Sequence, residues 1–145
     1  CEHQLCMGIG FCNLMSSSTS RSVHCYDLEE IHRQDGFGIT HAARDTNLGH
    51  RVAIKEYYPR SHAIRTDDGL VQSKPGAESI ETYYWGLDRF LEEARTLARF
   101  EHPNIVSVHS VFEAYGTAYM VMDLIVGRSV AELLEKNRFE INAHY

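Results

Sequence analysis

The stretch "RVAIKEYYP", Arg51 to Pro59, sets a lysine in the middle of an apolar run. Strand residues alternate faces, so Lys55 shares one face with Ala53 while Val52 and Ile54 take the other. A charge beside a core needs a partner, and the rest of the chain has to supply it.

Upstream, "YDLEEIH" from Tyr26 alternates Tyr26, Leu28 and, less regularly, Ile31 with polar positions, the pattern of a half-buried strand. "RQDGFG" supplies a turn through Asp35-Gly36 and Gly38, and "ITHAAR" runs back as a second strand. Asp45, Asn47 and Gly49 form the link to the strand of Lys55, which completes a meander. Downstream, Tyr57 to Trp85 is long and polar, with turn signals at Asp67-Asp68-Gly69 and Lys74-Pro75-Gly76, and is expected to be a surface excursion.

"GLDRFLEEARTLARFEHP" then gives the strongest periodic signal. Leu87, Phe90, Leu91, Ala94, Leu97 and Ala98 fall at helical spacing, and the helix is expected to end near Glu101, before Pro103. Strands are expected near Ile105 to Phe112 and Thr117 to Met122, around a turn at Tyr115-Gly116, with a short helix near Ser129 to Lys136. The fold class is α+β: a five-stranded antiparallel sheet with one long helix.

With about 100° of rotation per residue, Glu93 falls between Phe90 and Leu97 at the margin of the apolar stripe, whereas Glu92 points away. Glu93 is therefore the candidate partner of Lys55. The alternative is that Lys55 snorkels to water and Glu93 solvates a helix flank. Ala53 leaves a shallow space where a flat ring could lie, and the Gly36 to Gly38 turn can present backbone N–H groups to anionic oxygens.

Composition narrows the function. Hydrophobic residues make up 43% and charged ones 23%, the balance of a globular chain. A net charge of −6 argues against nucleic acid as a partner. No run approaches the ~18 apolar residues of a membrane span, so the chain is expected to be cytoplasmic. Cys1, Cys6, Cys12 and Cys25 lack the Cys-x₂-Cys spacing of a zinc module and read as reduced thiols; no metal site is expected. "SSSTSRS" after Met15 reads as a polar leader.

Taken together, "GFGITHAARD", "VAIKEYYP", "FLEEARTLARFEHPNIV" and "AYMVMDLIVGRSV" resemble, in order, the small lobe of a bacterial serine/threonine protein kinase of the eukaryotic-like type. The resemblance implies a leader at 1–25, a small lobe at 26–123, and a hinge with the first helix of a large lobe at 124–145. It implies that Lys55 contacts the α- and β-phosphates of ATP while Glu93 holds it in place. Gly36, Phe37 and Gly38 would form the loop over the phosphates. Ala53 would touch adenine, Met122 would occupy the gatekeeper position, and backbone groups of Asp123 and Ile125 would receive the adenine edge. Leu97 and Val108 would join the packed column between helix and sheet.

Two departures from the family pattern stand out. Arg33 and Asp35 occupy the first and second glycine positions of the Gly-x-Gly-x-x-Gly loop, and only Gly38 keeps the third. No His-Arg-Asp catalytic loop and no Asp-Phe-Gly metal motif occurs in the sequence, so magnesium is expected only in a full-length parent that phosphorylates a protein substrate, and this chain alone is not expected to catalyse. The departures also motivate an alternative: a catalytically inactive interaction module or decayed copy, able to self-associate through an exposed apolar underside. An unrelated α+β binding domain sharing only the element order is the third reading.

Overall fold

Apolar side chains project from both faces of the sheet, and the helix closes one of them. The computed structural model describes residues 21–127. The first part of the leader, with Cys1, Cys6 and Cys12, and the short helix expected near Ser129 to Lys136 lie outside them. The elements are β1 (Ser22–Val23), β2 (Tyr26–Gln34), β3 (Gly38–Asp45), β4 (Arg51–Tyr57), β5 (Ala63–Arg65), β6 (Val71–Ser73), α1 (Ala77–Leu97), β7 (Val108–Ala114) and β8 (Thr117–Asp123). An antiparallel sheet runs in the order β1-β2-β3-β4-β8-β7, and β5-β6 forms a separate hairpin.

The five expected strands are all present, and the sheet gains a sixth at its edge. β1 is two residues long and carries no readable period, yet Val23 is completely buried. Residues 22 and 23 thus pair with β2 at the edge of the sheet. Breaks in register between Leu28 and Glu30 and between Ile31 and Arg33 explain the irregular alternation there. They leave Ile31 59% exposed.

Strand alternation divides the core in two. Val23, Leu28, Val52, Ile54, Tyr119 and Val121 form a cluster on the outer face of the sheet. Tyr57 and Met120 point the other way and pack with Tyr83, Leu87, Phe90 and Leu91 of α1. The helix begins at Ala77, well before the expected Gly86, and ends at Leu97. Its first turns were hidden in the polar excursion because, from Ala77 to Tyr84, only Tyr83 is buried. The β5-β6 hairpin lay in that excursion too; three-residue strands are too short to show a period. β7 starts at Val108 and not at Ile105.

Gly86, inside α1, has a packing role. A β-carbon there would lie 2.3 Å from Tyr57 Oη, a hydroxyl that donates to the Tyr83 carbonyl at 2.9 Å. Burial, with a smaller contribution from Tyr83, pushes the Tyr57 phenol up to about 12. Glycine to alanine in a helix interior ordinarily stabilises by about 1 kcal/mol. Gly86→Ala is expected to reverse that sign and destabilise by about 1 to 3 kcal/mol, because the buried ring must move. Urea unfolding of Gly86→Ala, Tyr57→Phe and the double variant checks it: removing the hydroxyl should recover much of the loss, and additive effects would refute the contact.

Candidate functional site

β4 carries Lys55 toward the α1 side of the sheet. There a cavity of about 360 Å³ lies between the β2-β3 turn, the end of β4 and the helix, with Phe37, Lys55, Tyr57, Trp85, Phe90 and Glu93 in its wall. The shared wall sets Lys55 and Glu93 on the same space. It does not bring them into contact: among the described residues, no ion pair within 4.0 Å joins them. Glu93 is exposed on the helix. The Lys55 stem instead runs under the turn, where its Cε is 3.4 Å from the position a β-carbon on Gly38 would take.

The turn is tightly bonded. Phe37 N–H and Gly38 N–H both donate to Asp35 Oδ1, each at 2.8 Å. Asp35 N–H donates to the Gly38 carbonyl at 3.0 Å, while Tyr58 N–H and Arg60 N–H donate to the carbonyls of Phe37 and Gly36 at 3.1 and 3.3 Å. A β-carbon at Gly38 would come within 2.7 Å of the Glu56 carbonyl oxygen, so only glycine lets the turn lie this low on β4. The hydrogen bond from Phe37 N–H is the largest influence on the Asp35 carboxyl. Together with the bond from Gly38 and the positive charges of Lys55 and Arg33, it outweighs desolvation and holds the group below its ordinary value.

At the other end of the sheet's underside, Ala53 stands directly opposite Met122 across β4 and β8. Leu97, Val108 and Met122 pack against the helix-side core. Asp123 N–H is already used by the Ser107 carbonyl at 3.1 Å, and its carboxylate meets His109 Nε2. A ligand edge arriving there would have to use the Asp123 carbonyl and the backbone of Ile125, a residue 60% exposed. His102 takes the structural part of a turn cap: its Nδ1 accepts from Asn104 N–H at 3.1 Å.

Sequence reasoning missed Glu56. One position beyond Lys55, it points to the outer face and is completely buried, held by Arg65 Nη2 and Tyr119 Oη at 2.9 Å each and facing His41 Nε2 at 3.3 Å. Alternation in "AIKEY" does contain a signal, since a second charge beside Val52 and Ile54 also requires a partner. Its partners come from three distant segments. No group of three or more His, Cys, Asp or Glu side chains among the described residues could hold a metal ion. Nor is any helix among them long and apolar enough to cross a membrane.

Comparison with known proteins agrees with the fold. The family model for protein tyrosine and serine/threonine kinases matches residues 80–144. The serine/threonine-protein kinase PknA of Mycobacterium tuberculosis is 34% identical over 116 residues, covering 77% of this chain and 22% of that protein. The serine/threonine-protein kinase PksC of Streptomyces coelicolor is 28% identical over 116 residues, covering 77% of this chain and 17% of its own length. The solved apo form of PpkA-294 superposes with a TM-score of 0.79 at 35% identity, covering 87% of this chain and 44% of that one. This chain thus spans about a fifth of the curated relatives it matches.

Proposed function

We infer, from a chain that carries the small lobe of a bacterial-type serine/threonine protein kinase, that it is the ATP-binding portion of such an enzyme. The observation that carries this reading is the arrangement along β4. Lys55 faces the cavity under the β2-β3 turn together with Glu93, and Ala53 lies opposite Met122 at the far end. A purine would rest against Ala53 and Met122, its edge on the backbone of Asp123 and Ile125. The phosphates would extend toward Lys55 beneath Gly36, Phe37 and Gly38. In protein kinases the strand lysine must pair with the helix glutamate for transfer, so a competent parent would bring Lys55 and Glu93, which here share one cavity wall, into contact.

In a full-length parent the reaction would move the γ-phosphoryl of ATP to a protein hydroxyl, with magnesium held by carboxylates from the remainder of that protein. ATP use places such an enzyme in the cytoplasm. A second reading, an inactive interaction module, is favoured by one observation: Asp35 already fills the backbone N–H groups of the turn.

Calorimetric titration of the 145-residue chain with ATP and with adenosine separates the two. Lys55→Ala is expected to weaken ATP binding about tenfold or more, equivalent to about 1.4 kcal/mol, and to leave adenosine affinity unchanged. Absence of binding by either compound would favour the interaction module. Equal ATP affinity in Lys55→Ala and the parent would remove the lysine from the site.

A further inference from the structure

We propose that the Asp35 carboxylate is a built-in occupant of the turn's phosphate seat, and that it sets the preference of this chain among adenine compounds by opposing those that carry phosphates. The inference rests on the nucleotide reading above and adds a determinant of selectivity to it. Two successive backbone N–H groups converging on one oxygen form an anion-binding concavity. In this turn the donors are Phe37 and Gly38, and the oxygen they hold, at 2.8 Å from each, belongs to the protein itself.

The surroundings reinforce the occupancy. The Lys55 stem lies on the β4 side of the turn, its Cε 3.4 Å from where a β-carbon on Gly38 would stand, so the cation meant for phosphate reaches the same turn. From outside, Tyr58 N–H and Arg60 N–H hold the carbonyls of Phe37 and Gly36, which keeps the turn down on the strand. A phosphate can reach the two N–H groups only by displacing Asp35, and it can sit beside Asp35 only against like-charge repulsion. Adenosine meets neither obstacle, because the adenine end at Ala53 and Met122 lies elsewhere on the sheet.

Two substitutions resolve charge from occupancy. Asp35→Asn keeps an acceptor for Phe37 and Gly38 and removes the charge. Asp35→Gly removes both and restores free N–H groups. Titration of parent and variants with ATP and with adenosine, without added divalent ions, should show ATP binding tightened about tenfold or more by Asp35→Gly, about 1.4 kcal/mol. Asp35→Asn should give a smaller gain, and adenosine affinity should stay within about twofold throughout, under about 0.5 kcal/mol.

Adenosine binding by all three proteins with no gain for ATP in either variant overturns the proposal and leaves the nucleotide reading standing. An equal gain for both compounds overturns it as well, since it would mark general loosening of the turn. Failure of both compounds to bind parent and variants overturns the nucleotide reading, and the proposal with it. Should Asp35→Gly not fold, Asp35→Asn decides alone, because it preserves the turn's hydrogen bonds.

Discussion

Glu56→Ala is expected to cost about 3 to 5 kcal/mol of stability, the range for removing one partner from a buried ion pair, and to lower the melting temperature by roughly 10 °C or more. Glu56 has no solvent exposure. Its Oε1 accepts from Tyr119 Oη at 2.9 Å, and its Oε2 accepts from Arg65 Nη2 at 2.9 Å and faces His41 Nε2 at 3.3 Å. Arg21 Nη1 lies 3.8 Å from Oε1. One carboxylate thereby joins β3, β4, β5, β8 and the segment entering β1. The two arginines retain partial exposure and can turn toward water. The Tyr119 hydroxyl and the His41 ring are buried and cannot, so the loss comes chiefly from those two groups and the vacated volume. Glu56→Gln keeps the volume and one acceptor and should lose about half as much. A loss below about 1 kcal/mol in Glu56→Ala would show that the cluster contributes no more than a surface pair.

The same carboxylate sets an acid limit. Burial pushes the Glu56 pKa up, but the hydrogen bond with His41, the charge and hydrogen bond of Arg65, and the Tyr119 hydroxyl together outweigh it and hold the group below its ordinary 4.5. A folded pKa below the unfolded one contributes stability that is complete above 4.5 and disappears as pH falls through the folded value. Asp35 is shifted in the same direction, so the parent's acid limb combines both groups. Urea midpoints measured from neutral pH into the acid range should therefore fall more steeply in the parent than in Glu56→Gln, and the gap between them should narrow below 4.5. A gap independent of pH would assign the stabilisation to packing instead of charge.

What could be read from the sequence is whatever a local period or turn determines. The face of Lys55, the stripe through Leu87, Phe90, Leu91 and Ala94, and the turn at Tyr115-Gly116 are of that kind, and all three are in the structure. So is Glu93 in preference to Glu92, because helix rotation alone assigns the cavity side. Other features depend on where whole elements sit. Rotation directs Glu93 toward the sheet, but contact with Lys55 requires a particular helix distance, which no spacing encodes. Glu56 draws partners from positions as far apart as His41 and Tyr119, and only the assembled sheet makes them neighbours. The turn lies between these cases. Asp35 is visible as a departure from glycine, whereas its capture of Phe37 and Gly38 N–H requires the folded turn.

Gly116→Ala should destabilise by about 2 to 4 kcal/mol, the sum of a left-handed backbone cost and a steric cost. Tyr115 and Gly116 both have positive φ, 51° and 75°, the pairing that a two-residue hairpin turn needs to match the twist of its strands. Backbone strain alone would make the loss modest. The surroundings enlarge it, because a β-carbon at Gly116 would stand 2.2 Å from the Val71 carbonyl oxygen. That carbonyl cannot retreat freely. Val71 N–H donates to the Tyr115 carbonyl at 2.8 Å, and Tyr83 Oη donates to the Gly116 carbonyl at 2.7 Å, so β6, the β7-β8 turn and α1 are fastened at one point. Gly49 is the control: its φ is similar, 76°, but no atom lies within 4 Å of a β-carbon there. Gly49→Ala should lose only the backbone term, about 1 kcal/mol. Equal losses in the two variants, measured by urea unfolding, would reduce the Gly116 contact to turn geometry. A clear excess at Gly116 would establish that the β5-β6 hairpin and α1 are seated on the sheet through that turn, on which the placement of Glu93 opposite Lys55 in turn depends.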